Sequence, residues 1–547
     1  EDEEEVRAGR KQPEPLVIRA NAGECVRIRF TNKLPQVLGG NAFQLLARSY
    51  EAGIHPHFVK FDLLVADGAS IGWNYDSGVL PGQTIHYQWF ADVELQSVFF
   101  HDHLFAAAHQ NHGLFGCLTV EPQGAQYLDS RTGKPVKAAT QAMVVHPLLP
   151  DFREFTLFVH DFALLFDAKG CPVNPAPFPG SEDDPGVMGI NYRNEPLPFR
   201  ASGTASDDPA YVFSSHVHGD PFTPLLETYN GDPVRIRLLQ GAHEESHSFN
   251  LHRQRWRRED GNPNSTLVQQ QHIGISERFT LQFAVEGEGD FDLLYHFGSI
   301  DDIWLGNWGL LRSYGQRVPG LVPLPDRPEP PAGTTDVEGR PTPSRPPRAR
   351  HPGNPAPPGA PVRRYEVAAV HAPIVYNRAG DRDPHGIVFA LTRDVASILS
   401  GERVPGRLVL RANVGEVVEV ILHNWLTEGA HGLPEHGYPA VPVETPFPRS
   451  ARVSLHPQLL VYDVRGSDGA SVGFNPDQTV GPGETITYRW YVDAEVGACS
   501  LWDMADLRHH RHHGAFGVLI TEPRGSTYLD PVTRQPVETG TQVVISN

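Results

Sequence analysis

Apolar and polar residues alternate along most of this 547-residue chain. The pattern is plain in residues 26–30 (VRIRF), 84–90 (TIHYQWF), 279–285 (FTLQFAV), 416–422 (EVVEVIL) and 485–492 (TITYRWYV). Successive side chains of a strand point to opposite faces, so a period of two predicts a strand with one buried face. Residues 117–122 (CLTVEP) and 518–523 (VLITEP) add β-branched runs, and PG and DG turns separate the segments. No long amphipathic helical period competes. Dense short strands with regular turns predict an all-β chain of Greek-key sandwiches or β-barrels.

The pattern also repeats. Residues 55–75 (HPHFVKFDLLVADGASIGWNY) match residues 456–476 (HPQLLVYDVRGSDGASVGFNP) at an offset of 401. The same offset relates Gly82 to Gly483, residues 112–116 (HGLFG) to 513–517 (HGAFG), and Tyr127 to Tyr528. Upstream, residues 19–23 (RANAG) match 411–415 (RANVG) at an offset of 392, which assigns nine extra residues to the later copy, in the loop around 428–438. A more distant unit lies between, where residues 231–239 (GDPVRIRLL) resemble 23–30 (GECVRIRF). A fixed long-range period marks repeated structural units.

Domains are therefore expected at 1–139, 140–316 and 365–547. Residues 317–364 are proline-rich and poor in large apolar groups, and read as an extended linker whose arginines are solvated. Strand-forming residues 365–410 precede RANVG in the third unit, whereas the first has only about fourteen residues there. Residues 541–544 (TQVV) match 140–144 (TQAMV), which in the first copy lead into the next domain. The chain is accordingly expected to begin inside one domain and to stop as another begins.

Composition narrows the function. The formal charge of −19 disfavours nucleic acid, which needs a basic face, and is compatible with a cationic substrate such as a metal ion. No apolar run reaches the roughly 20 residues needed to span a bilayer as a helix. The chain opens on an acidic run, residues 1–5, unlike a signal peptide. Cys25, Cys117, Cys171 and Cys499 are widely separated, with neither a CxxC motif nor a disulfide framework.

The 27 histidines carry the chemistry. His55-Pro56-His57 opens one strand segment and His101-Asp102-His103 closes another. Residues i and i+2 of a strand face the same way, so each pair presents two imidazoles to one place. Neutral imidazole suits copper, zinc, iron and nickel.

HPH followed by HDH-LF and HGLFG resembles the first-domain signature of multicopper oxidases. Residues 67–76 (DGASIGWNYD) and 101–106 (HDHLFA) are most similar to the large bacterial manganese-oxidase-like branch. The resemblance spans nearly the whole chain outside the linker, and implies cupredoxin-like domains. It further implies that the two pairs are four of the eight histidines of a trinuclear copper cluster, with His55 on the type 2 copper and His57, His101 and His103 on the type 3 pair. His109 and His112 lie on the same connection and are expected to support ligands or structure.

The second unit departs from the family pattern. H-P-x-H-x-H reads His247-Ser248-Phe249-Asn250-Leu251-His252, with Asn250 at a type 2 ligand position. The His-Cys-His motif survives as His296 alone: Phe297 stands at the cysteine, Gly298 and Asp302 at the later histidines and Asn307 at the axial position. A blue type 1 site needs a thiolate, so this unit reads as a decayed copper site. His247, His252 and His296 are further metal candidates whose simpler reading is structural. His216-Val217-His218-Gly219, placed in a loop, reads as structural too. The third unit has HPQ for HPH and Trp502-Asp503-Met504 for HDH, and its His509, His510, His512 and His513 read as a solvated or packed loop.

The resemblance implies part of a copper-dependent oxidase that couples one-electron oxidation of a reductant to reduction of dioxygen to water. Manganese(II) is one reductant, with iron(II), copper(I) or phenols as others. A complementary cupredoxin domain or chain would supply the His-Cys-His motif, the type 1 copper and the remaining ligands, in an extracellular or cell-surface setting. The alternative is a non-catalytic cupredoxin scaffold or copper-binding subunit packed against a catalytic partner. A copper nitrite reductase fits less well, because the type 1 ligands are lost while two H-x-H pairs are intact.

Overall fold

The computed structural model describes residues 3–35, 50–163, 165–171, 187–201, 208–241, 245–298, 300–333, 345–427 and 449–547. The loop assigned to the nine extra residues, 428–438, lies outside them.

Three tandem sandwiches share one plan. In the first, one sheet runs in the order Leu16–Asn21, Phe115–Glu121, Gln96–His101, His55–Pro56, and faces a second sheet of Glu24–Thr31, Thr84–Ala91 and Lys60–Phe61. Its first strand lies parallel to its last, a pairing that only a crossover between the two sheets can make and the mark of Greek-key closure. The third sandwich repeats this with Leu408–Asn413, Phe516–Glu522, Gly497–Trp502 and His456–Pro457. In the second, Leu226–Tyr229 is parallel to Trp308–Tyr314, followed by Phe291–Phe297, His247–Leu251 and Gln270–Ile273. The fold is that of tandem cupredoxin-like Greek-key β-barrels.

The alternation in the sequence does what it predicts. Along Thr84–Ala91, Tyr87, Trp89 and Ala91 are buried while their neighbours point outward. Tyr488 and Trp490 repeat this in Thr485–Tyr491. Burying such a side chain contributes about 2–3 kcal/mol. Polar anchors recur at the two repeat offsets, 392 for the asparagine and 401 for the rest. Asn32 Nδ2 donates to Val79 O at 2.7 Å and Asn424 Nδ2 to Val480 O at 2.8 Å. Tyr87 Oη donates to Ser77 O at 2.6 Å and Tyr488 Oη to Gln478 O at 2.7 Å.

Two features of the third unit and the linker stand out. In the third unit Val362–His371 lies beside Val417–Asn424, with Ile387–Leu391 beyond it; the matching strand of the first unit, Glu24–Thr31, is the end of its sheet among the described residues. The linker arginines are not simply solvated. Arg345 stacks on Tyr211, Arg348 Nη1 donates to Glu484 at 2.7 Å, and the chain nearby exchanges backbone hydrogen bonds with Asp477. Extended proline-rich backbone makes no hydrogen bonds within itself, so its carbonyls and remaining N–H groups are free to bond a neighbouring surface.

The units are joined by buried polar contacts. Glu121 of the first and Glu154 of the second share Arg237, and Arg19 also pairs with Glu154. The second and third units share one apolar cluster that includes Phe249, Tyr295, Leu455 and Tyr462.

Candidate metal centre

His55 and His101 are directly paired across adjacent antiparallel strands. Register therefore brings HPH and HDH together. The ring centres of His55 lie 5.3, 5.5 and 4.8 Å from those of His57, His101 and His103, and His101 lies 5.2 Å from His57 and 5.5 Å from His103. Nε2 of His57 is 3.1 Å from Nε2 of His101. His101 is buried, His55 and His57 are half-buried and His103 is exposed.

The backbone sets the tautomers. His55 Nδ1 donates to Asp67 O at 2.8 Å and His101 Nδ1 donates to Asp102 O at 2.8 Å. A neutral imidazole that donates from Nδ1 presents a lone pair at Nε2, as a metal ligand must. Burial, reinforced by neighbouring histidines, lowers the pKa of His57 and of His101 to about 4, so both are neutral near pH 7.

The sequence alone singles out His109 as a support, whereas the roles of Asp102, Asp503 and Gly68 do not show in it, although the repeat contains them. The Asp102 carboxylate accepts Gly53 N–H at 3.0 Å and His109 Nδ1–H at 2.8 Å, tying HDH to the segment that leads into HPH. Asp503 does the same in the third unit, accepting from Ser454 N–H at 2.7 Å and His510 Nδ1–H at 3.0 Å. Gly68 follows Asp67 with φ +71°, and a Cβ there would meet Ile54 O at 2.1 Å. This is why glycine follows aspartate in the repeated DGAS: the loop must lie against the strand holding His55.

The other candidates fall elsewhere. His109 is buried on Asp102 and supports the four rather than joining them. His112 is exposed on the following turn. His252 and His296 lie at the junction of the second and third units, ring centres 5.7 Å apart. His252 Nδ1 donates to Asp468 at 3.1 Å, and His456 Nδ1 donates to Asp468 O at 2.6 Å. His456 thus occupies in the third unit the place of His55, but Trp502 pairs with it where the first unit has His101, and Arg511 stacks on Trp502 at 4.1 Å. A guanidinium and an indole fill that junction. His247 Nδ1 faces Asp302 Oδ1 at 3.1 Å. Phe297 is fully buried, and none of the four cysteines is paired in a disulfide.

The remaining histidine motifs make packing and hydrogen-bond contacts, and Asp506, His509 and His510 bring ligand atoms within 4.8 Å of one another. His216 and His218 end a helical turn, Ser215–His218, rather than a loop, and His216 Nε2 donates to Phe474 O at 3.1 Å. His510 uses both ring nitrogens, on Asp503 and on Ser450 O, and His513 Nδ1 bonds Asp383 at 2.6 Å. The histidine-rich loop is therefore packed.

Fold and site together define a β-protein of tandem cupredoxin-like barrels in which adjacent strands of the first unit bring His55, His57, His101 and His103 side by side. No family model and no curated protein matches the chain. Among solved structures it is similar to a multi-copper oxidase from Pseudomonas thermotolerans at 15% identity, over 92% of this chain and 91% of that chain, with a TM-score of 0.34. A likeness this low carries no argument about function. No helix among the described residues is long and apolar enough to cross a membrane.

Proposed function

We propose that this chain is part of a multicopper oxidase, and that His55, His57, His101 and His103 are its contribution to a copper cluster. The observation that carries the reading is the 3.1 Å approach of His57 Nε2 to His101 Nε2, with ligand nitrogens of His55, His57 and His101 all within 4.8 Å of one another and the His103 ring beside those of His55 and His101. Two neutral nitrogens at that distance need a shared proton or a bridging metal, and an all-nitrogen set suits copper. Copper bound here supplies one-electron redox chemistry towards dioxygen. The chain's own part is to aim His55 and His101 through Asp67 O and Asp102 O, and to keep His57 and His101 neutral by burial.

Four imidazoles on a half-open face do not enclose a cluster. The proposal therefore includes a complementary cupredoxin domain, on the same or another polypeptide, that supplies further histidines and a type 1 copper. Manganese(II) as reductant and an extracellular or cell-surface setting belong to the same proposal and rest on the motif resemblance. A copper-binding scaffold without oxidase activity is the alternative, favoured by Phe297 where a thiolate is needed.

Copper titration of the chain, read by equilibrium dialysis and electron paramagnetic resonance, tests the site. Nitrogen hyperfine coupling is expected, and the double variant His101→Ala/His103→Ala should lose it while melting as a folded protein. Unchanged copper binding in that variant rejects the site. Copper binding without dioxygen consumption, once the complementary domain is added, selects the scaffold.

A further inference from the structure

A second group of metal-binding character lies in the middle unit, outside the four-histidine cluster. His247 opens the strand His247–Leu251, Asp161 lies in Phe152–Ala163, and Asp302 is carried by the short helix Ile300–Trp304. Glu245 reaches the same place two residues before His247, held by its backbone N–H, which donates to Asp161 Oδ2 at 2.8 Å. One ring nitrogen of His247 and one oxygen each of Glu245 and Asp302 lie within 4.8 Å of one another. His247, Asp302 and Asp161 are almost wholly buried.

Two observations set this apart from an ordinary acidic surface. His247 Nε2 is buried without a hydrogen-bond partner, 3.7 Å from Asp161 Oδ2, while its Nδ1 faces Asp302. The carboxylates also crowd one another. Burial, with Asp302, Asp301 and Asp161 adding to it, pushes the Glu245 carboxyl up to about 7. Several carboxylates around one imidazole leave an excess of negative charge where desolvation makes it costly.

We propose that Glu245, His247 and Asp302, supported by Asp161, form a binding site for one divalent cation of the manganese(II) or iron(II) class. Carboxylate oxygens with a single imidazole suit these ions, whereas copper(I) favours sulfur and nitrogen. Ligands of one ion with bonds of about 2.1 Å lie at most about 4.2 Å apart, so small side-chain rotations close the set. Metal ligation requires deprotonated ligands, so binding strengthens as pH rises. This site is independent of the copper proposal: it shares no residue with His55, His57, His101 or His103.

The test is manganese(II) titration of the full chain without copper, followed by the paramagnetic signal of free manganese(II) and by the melting temperature. One ion per chain is expected, with a rise in melting temperature. Glu245→Gln and Asp302→Asn should each weaken binding by about tenfold or more and abolish that rise, whereas His101→Ala/His103→Ala and the distant Glu3→Gln/Glu4→Gln should leave both readouts unchanged. Glu245→Gln removes a half-exposed carboxylate and keeps the Asp302–His247 contact, so it decides the matter if Asp302→Asn does not fold. Failure to bind manganese(II), or binding that Glu245→Gln leaves unchanged, overturns the proposal. Loss of copper binding at the four histidines alone would not.

Discussion

The imidazole of His252 lies over that of His456, ring centres 3.8 Å apart and planes 27° from each other. The contact joins the second unit to the third, and the Asp468 carboxylate beneath it also accepts Tyr462 Oη–H at 2.9 Å. His55 holds the same place in the first unit, and its ring neighbours among the described residues are His57, Phe61, His101 and His103, all of its own unit. One unit's histidine face is therefore closed by a neighbouring barrel and the other's is open. The repeat shows which side chains mark the difference. Phe474 packs beneath Arg312 of the second unit at 4.7 Å, whereas its counterpart, Trp73, is 103% exposed.

That contrast predicts different costs for the same change. Trp73→Ser should alter the stability of this chain by less than about 0.5 kcal/mol, because the indole makes little buried contact. Phe474→Ser should cost about 2 kcal/mol or more, because it empties a position enclosed by Arg312 and His216. Denaturant midpoints of the two variants check this. Equal losses would show that the two loops are not equivalent surfaces.

The middle unit has Phe297 where a blue copper site would have its thiolate, and the ring is fully buried. Cys117 and Cys499 are buried as well, which pushes their thiols up to about 11 and about 12 and leaves no thiolate near neutral pH. Copper-loaded chain should therefore show no intense thiolate-to-copper absorption in the visible. A blue colour from this chain alone would place a type 1 site where neither sequence nor structure supports one.

Much of this was legible in the sequence because it was written twice. The 401-residue offset identifies corresponding strands, and the H-x-H pairs mark where strand register brings His55 beside His101. What could not be read was everything that depends on which barrel meets which. His252 resembles a remnant ligand in sequence, yet it stacks on His456, 204 positions away, because the second and third units share an interface that no local pattern encodes. Asp302 reads as a lost copper ligand, and its pairing with His247 emerges only once the helix Ile300–Trp304 folds over the end of the sheet. The linker arginines find Tyr211 and Glu484 for the same reason: their partners are set by tertiary packing.

The His510–Asp503 pair gives a pH signature separate from the four histidines of the first unit. Burial alone would lower the pKa of His510, but Asp503, with Asp506 behind it, outweighs burial and raises it to about 9. The imidazole donates from both nitrogens, to Asp503 and to Ser450 O, so it is the protonated form that the fold holds. Because the folded pKa lies above the unfolded value of about 6.5, this contribution is fully present below pH 6.5 and is lost as pH rises through 9. The difference in pKa corresponds to about 3 kcal/mol. Thermal melts of wild type and His510→Gln between pH 6 and pH 10 should show the variant clearly less stable at pH 6, with the gap closing towards pH 9 and above. Two parallel curves across that range would mean that His510 is neutral in the folded chain and that Asp503 acts on it only as a hydrogen-bond acceptor.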